Sequence, residues 1–346
     1  MTHAWGSLAL SAGVALLPAI GFLVVLLFLD SYQLIRPAFV LWVLGTGIVA
    51  AGAALVVNTW LLGITGWSLT VYAHSVSPLV EETLKALPIV LLIRRERIGF
   101  MVDAAILGFA IGSGFAIVEN LDYLHLDAHA DLATWLVRGF GTALMHGGAT
   151  ALFASMAVST LELRPHAGWL AFGPGLAVAV LLHASFNILS RDPLQATLAV
   201  LIGVPALLMT VFHFSEKKLR AWIGSGFEHD AQMLDLLSTG ALSTSPAGQY
   251  LETIKHRFKP LMRFDALCYL RLSSELSMRA KGLLMLRENE LPIPPLDEAT
   301  RATLVEVMHL EKRLGKTGLR ALKPLLKSGG KDRWQRALLE STAEEG

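Results

Sequence analysis

The chain has 346 residues, of which 53% are hydrophobic and only 16% charged, and its mean hydropathy is +0.54. Soluble domains carry about a quarter charged residues, so this balance excludes an ordinary water-soluble globule and points to lipid as the solvent. A formal net charge of +1, with the basic residues of the tail interleaved with acids, excludes a nucleic-acid footprint, and Cys268 as the single cysteine excludes an internal disulfide or a thiolate metal site.

Charges are sparse up to Phe214 and come every few residues from Ser215 onward. The break predicts an all-α protein in two parts: a polytopic transmembrane helix bundle over residues 1–214 and a soluble helical domain over 215–346. The N-terminus, Met1 to Ser7, lacks the basic region of a cleaved signal peptide. A helix needs about 20 mostly apolar residues to cross the hydrocarbon. About seven stretches qualify: Leu8–Leu29, Ala38–Leu62, Leu69–Ile93, Phe100–Val118, Leu132–Ser159, Gly168–Leu189 and Leu194–Phe214. The third is interrupted by Pro78, Glu81, Glu82, Lys85 and Pro88.

Basic loops stay in the cytoplasm. Arg94-Arg95-Glu96-Arg97 follows the third stretch, and Lys217, Lys218 and Arg220 follow the seventh. Both then lie inside, with Arg36 and Arg164, while the N-terminus and the loop carrying Asp122, Asp127 and Asp131 lie outside; Arg191 is the one dissenter. In the tail, Ser245-Pro246 predicts a capped helix start. Helical spacing runs over Met262–Arg287 and again over Asp297–Leu314, with Leu291-Pro-Ile-Pro-Pro295 as a stiff turn between them. No catalytic constellation falls in the tail, which reads as a regulatory or docking domain.

Ionisable groups inside spans are costly, which makes each a functional candidate. Glu81 and Glu82 are adjacent, so they point about 100° apart and cannot share one role. Lys85 lies one turn on, where its ammonium can offset one carboxylate and leave the other to take a proton. If a helix begins at Ser77-Pro78, its dipole supports the negative charge of Glu81. Phe115 and Glu119 share a helix face, below a small-residue surface of Gly108, Gly112 and Gly114 that permits close helix approach. His146 sits in the middle of the fifth stretch, and His183 shares a face with Asn187 in the sixth. Arg138 reads as an interfacial anchor. His74, Asp103, His125 and His129 read as loop or interfacial residues.

This set can hydrolyse amides by two routes. In one, Glu81 or Glu82 takes a proton from water while a His–Asn pair stabilises the oxyanion. In the other, His146, His183 and a glutamate such as Glu119 hold a divalent ion such as Zn²⁺, with another glutamate as base. The residues leave both open.

Glu81-Glu82-x-x-Lys85, Phe115-x-x-x-Glu119, His146 and His183-x-x-x-Asn187, in that order on successive spans, resemble the PrsW family of intramembrane proteases. That family is distantly related to the type II CAAX prenyl endopeptidases and bacteriocin-immunity proteins. The lysine in the first motif, where the prenyl endopeptidases have arginine, and the FxxxE spacing, where they have FxxxH, favour the PrsW side. The resemblance covers roughly residues 69–187; the first two spans read as generic, and the tail is a departure. It implies an endopeptidase acting on membrane-anchored proteins in the lipid bilayer of a bacterial or archaeal cytoplasmic membrane. By the same resemblance, Glu81, Glu82, His146 and His183 are the catalytic candidates, with Glu119, Asn187 and Lys85 in support. Two other classes fit intramembrane acids and imidazoles. A proton- or metal-coupled transporter would show paired broken helices, whereas only the third stretch is interrupted. A catalytically silent scaffold would tolerate loss of either adjacent glutamate.

Overall fold

Eight helices account for the first two-thirds of the chain: α1 (Thr2–Leu29), α2 (Pro37–Thr65), α3 (Leu69–Arg94), α4 (Met101–Leu126), the short α5 (Leu132–Leu136), α6 (Ala143–Leu163), α7 (Gly173–Leu189) and α8 (Pro193–Thr239). This computed structural model describes residues 2–30, 35–126, 130–164, 166–189, 192–257, 260–289, 291–326, 335 and 338–339. Asp127, His129 and Arg191 lie outside the described residues. Among those residues there is no strand. Chain contacts divide the protein into Met1–Glu216 and Lys217–Gly346.

Local sequence sets the ends of the membrane helices. Pro37 occupies the first turn of α2, and Gly66 closes it in the left-handed conformation (φ 64°), its N–H bonded to the Leu62 carbonyl. Ser68 caps α3 by accepting the Val71 N–H. The helix then runs unbroken through Pro78 and Pro88. No helix begins at Ser77-Pro78, so a helix dipole does not support Glu81; the Ser77 hydroxyl bonds it directly instead.

Among the described residues, six helical segments are long and apolar enough to cross a bilayer: Leu10–Leu29, Pro37–Thr65, Met101–Leu126, Leu132–Leu163, Gly168–Leu189 and Pro193–Thr239. The remaining expected stretch, the third, is α3, a helix of 26 residues that carries Glu81, Glu82 and Lys85 in its middle, more charge than a lipid-facing span tolerates. Burial explains how these charges are accommodated. Lys85 is fully buried, and Glu82 is 2% exposed.

The two central helices are α4 and the segment containing α6. Their apolar windows are 83% and 78% buried, against 22–33% for the four other segments. They approach closely because their facing residues are small. A Cβ on Gly108 would collide with the Thr150 carbonyl and one on Gly112 with the His146 carbonyl, while one on Gly114 would strike Leu44 of α2. This is the surface expected of the α4 glycines. Ala50, Ala51 and Ala54 of α2 pack against Phe115 of α4.

In the second unit, Ser245 caps α9 (Pro246–Ile254) by accepting the Gly248 N–H at 3.1 Å, as its sequence predicts. Helix α10 spans Pro260–Glu288, and α11 spans Glu298–Leu322 with Asp297 as its cap. The spacing that predicts an end at Leu314 stops where Gly315 leaves helical geometry (φ 64°), a kink beyond which the helix resumes.

Candidate active site

Four helices bring the predicted polar residues together. Glu81, Glu82 and Lys85 come from the middle turns of α3, Glu119 from α4, His146 from α6 and His183 from α7. The adjacent glutamates point apart, as a helix requires, and meet different partners. Glu82 Oε1 accepts from Lys85 Nζ at 2.5 Å and from His183 Nδ1 at 2.8 Å. Its charge is therefore held by an ammonium and an imidazole in a place water does not reach. Glu81 is less enclosed. Its Oε1 accepts from the Ser77 hydroxyl at 2.5 Å and from Asn58 Nδ2 at 3.3 Å, while its Oε2 faces His183 Nε2 across 3.9 Å.

The hydrogen bonds fix the imidazole tautomers. An ammonium can only donate, so His146 Nδ1, 2.8 Å from Lys85 Nζ, accepts. Its other nitrogen then carries the proton and donates to Glu119 Oε2 at 2.6 Å. In His183, Nδ1 donates to the Glu82 carboxylate, which turns Nε2 toward Glu81. The two rings meet edge to face with centroids 4.8 Å apart. Phe115 closes one wall, 5.1 Å from the His146 ring and 4.6 Å from Lys85 Nζ.

Arg138 extends the network. Its Nη2 donates to Glu119 Oε1 at 3.0 Å, its Nε donates to Asn120 Oδ1 at 3.1 Å, and the guanidinium lies over the Tyr123 ring at 4.0 Å. The reading of Arg138 as an interfacial anchor is corrected accordingly. It lies in a π-helical turn, Val137–Thr142, between α5 and α6, the kind of local irregularity found at functional sites.

Residues 36–214, just over half of the chain, match the family described as PrsW family intramembrane metalloprotease. The chain belongs to the PrsW family. It is thus a multi-pass membrane protein and an intramembrane protease. No curated protein and no solved structure matches it.

The PrsW motif residues converge, with one difference in use. Asn187 Nδ2 donates to the Ala73 carbonyl at 2.8 Å, which ties α7 to α3. Sequence reasoning passes over Asn58 and Tyr72 and reads Ser77 only as a helix start; Asn58 and Ser77 bond Glu81 directly, and Tyr72 reaches it through Asn58. Asn58 is a lone amide in the apolar α2, and its placement one helix before the glutamate pair is the signal that could have marked it.

A metal ion implied by the PrsW description would need donors at the right spacing. Glu81, His146 and His183 offer one ligand atom each, within 4.8 Å of one another, a two-histidine, one-carboxylate set of catalytic-zinc type. Glu119 lies outside that group. Zinc bonds of about 2.0–2.2 Å in a tetrahedron put neighbouring donors about 3.4 Å apart, whereas His183 Nε2 and Glu81 Oε2 are 3.9 Å apart. Both nitrogens of His146 are engaged, Nδ1 by Lys85 and Nε2 by Glu119. A metal bound there would have to take one nitrogen of His146 from its present partner.

Proposed function

We propose that the protein is a glutamate-dependent intramembrane endopeptidase that cleaves membrane-anchored proteins, with Glu81 as general base and Glu82 as the group that orients His183. The observation that carries the reading is the division of labour between adjacent acids. Lys85 and His183 both bind Oε1 of the buried Glu82 and hold its charge, while Oε2 of the less enclosed Glu81 faces His183 Nε2 across a 3.9 Å gap. A water making hydrogen bonds of about 2.8 Å to each side fits that gap.

From that position the water gives a proton to Glu81 Oε2 as its oxygen bonds to the scissile carbonyl carbon. His183, with its Nδ1–H on Glu82, accepts a hydrogen bond from the same water at Nε2 and so aims the water's oxygen at the carbonyl carbon. Collapse breaks the C–N bond, and the proton on Glu81 passes to the leaving nitrogen. Lys85 offsets the charge on Glu82, and the Lys85–His146–Glu119–Arg138 chain holds the opposite wall.

The reading includes α3 as a seventh crossing, because a 26-residue helix is about 39 Å long and its central charges face protein. With seven crossings, the basic loop at Arg94–Arg97 and the 215–346 domain fall on the cytoplasmic side of the cell membrane, and the N-terminus falls outside. Residues 1–214 are then the catalytic domain, and the tail docks or regulates.

The test is to express Glu81→Gln, Glu82→Gln and His183→Ala in host membranes and compare new protein N-termini by mass spectrometry with those generated by wild type. Loss of the wild-type cleavage products in all three is expected. Undiminished products from normally expressed variants would end the proposal. Purified protein is expected to cleave in chelator and to hold zinc well below one ion per chain; stoichiometric zinc together with inactivation by chelator would favour the metal route.

A further inference from the structure

We infer that Asn58, Ser77 and Tyr72 form a positioning device that clamps one oxygen of the Glu81 carboxylate so that the other is presented to the attacking water; the inference rests on Glu81 as the base. Three observations support it. Asn58 Nδ2 and the Ser77 hydroxyl both donate to the same oxygen, Oε1, at 3.3 and 2.5 Å. Asn58 Nδ2 also donates to Ser77 Oγ at 3.1 Å, which completes a closed triangle around that oxygen. Tyr72, 2% exposed, donates its hydroxyl to Asn58 Oδ1 at 2.9 Å.

The direction of each bond is forced. An ionised carboxylate only accepts, so the face of Asn58 toward Glu81 must be its NH₂ group. Its carbonyl then faces Tyr72, and the Tyr72 hydroxyl locks the amide against a flip that would set oxygen against oxygen. The Ser77 hydroxyl hydrogen points at Glu81, which leaves its oxygen free to accept from Asn58. Every polar atom in the triangle thus selects a single arrangement, and that arrangement leaves Oε2 as the oxygen facing His183. Glu81 and Ser77 are one helical turn apart on α3, whereas Asn58 comes from α2. The device therefore couples the base to a helix that contributes no other polar group to the site among the described residues.

Tyr72 acts on Glu81 only through Asn58, and this gives a signature that mere packing of α2 on α3 would not. The substrate is the membrane protein whose new N-terminus wild type generates and Glu81→Gln does not, purified and reconstituted with the full-length enzyme in phospholipid vesicles. Asn58→Ala and Ser77→Ala are expected to lower kcat roughly 10- to 100-fold, the loss typical of a misplaced catalytic group, with KM within about twofold of wild type. Ser77→Thr, which keeps the hydroxyl, should restore most of the rate. Tyr72→Phe should lower kcat as well, but the Tyr72→Phe/Asn58→Ala pair should be no slower than Asn58→Ala alone. Wild-type kcat in Asn58→Ala or Ser77→Ala, or multiplication of the Tyr72 and Asn58 effects, would overturn the inference. If Asn58→Ala does not fold, the Ser77→Ala and Ser77→Thr comparison decides it alone. Cleavage undiminished in Glu81→Gln would instead remove the base itself, a failure recognisable because it precedes any effect of the clamp.

Discussion

Replacing Lys85 with methionine keeps most of the side chain's length, one atom short, and removes its charge, and the surroundings determine the damage. Both side chains of the Lys85–Glu82 pair are essentially inaccessible, at 0% and 1% exposure. Losing the ammonium strands the Glu82 carboxylate with His183 as its remaining partner and deprives His146 Nδ1 of its donor. Breaking a buried pair from one side costs about 3–5 kcal/mol. For a membrane unit of this size each kcal/mol moves Tm by about 2–4 °C, so the single variant should unfold about 6–20 °C below wild type. Adding Glu82→Gln removes the stranded charge and should recover at least half of that drop. The doubly substituted protein should still not cleave, because His183 no longer rests on a carboxylate. Thermal unfolding in detergent at one fixed scan rate, followed by intrinsic fluorescence, measures all three proteins. A Lys85→Met protein that melts within about 2 °C of wild type, the effect of losing a surface pair worth roughly 1 kcal/mol or less, would refute the reasoning, as would a double variant no more stable than the single.

Gly112→Ala should drive α4 from α6, because the added carbon meets the His146 carbonyl. A loss of about 1–3 kcal/mol, together with impaired cleavage, is expected in the same melting and cleavage assays, whereas Gly45→Ala, where a Cβ meets nothing, should melt like wild type. Arg138→Leu should lower cleavage without abolishing it, since Glu119 keeps its bond to His146; activity no higher than that of Glu81→Gln would place Arg138 nearer the chemistry than its contacts suggest. In the second unit, bonds from the Thr300 hydroxyl and amide and from Arg279 hold the Asp297 carboxyl below the usual range. Its contribution is present above the ordinary carboxylate range and lost as the pH falls through the depressed value. Asp297→Ala should therefore speed amide exchange in the first turn of α11 at neutral pH, and the difference from wild type should close at strongly acid pH.

Much of this site is legible in the sequence because membrane chemistry makes polar residues conspicuous. Glu81, Glu82, Lys85, His146 and His183 stand out from apolar stretches, and they converge because each lies on a helix face turned inward, all but the half-buried Glu81 being buried. Arg138 escapes that logic because distance from a span's middle suggests snorkelling, and nothing in the sequence announces the π-helical turn that points it at Glu119. Asn58 is hidden for a related reason: a single amide in an apolar helix carries no spacing pattern, and its significance comes from which residue it faces. A helix start at Ser77-Pro78 is the wrong expectation because proline is tolerated inside a helix embedded among other helices, so α3 continues through it. The paired acids in turn keep α3 from qualifying as a span on composition, even though the partners that neutralise them lie within the protein.

The π-helical turn before α6 has a consequence for register. Arg138 and His146 are eight positions apart, which on a regular helix is about 800° of rotation and leaves them about 80° out of line. A π turn absorbs one residue, so the rotation becomes about 700°, within about 20° of two full turns. That extra residue lets a guanidinium and an imidazole two turns apart grip opposite oxygens of one carboxylate. The span is in effect two helical segments, phased independently, and an insertion or deletion in Val137–Thr142 would turn the segment before it while leaving the one after it, with His146, where it stands.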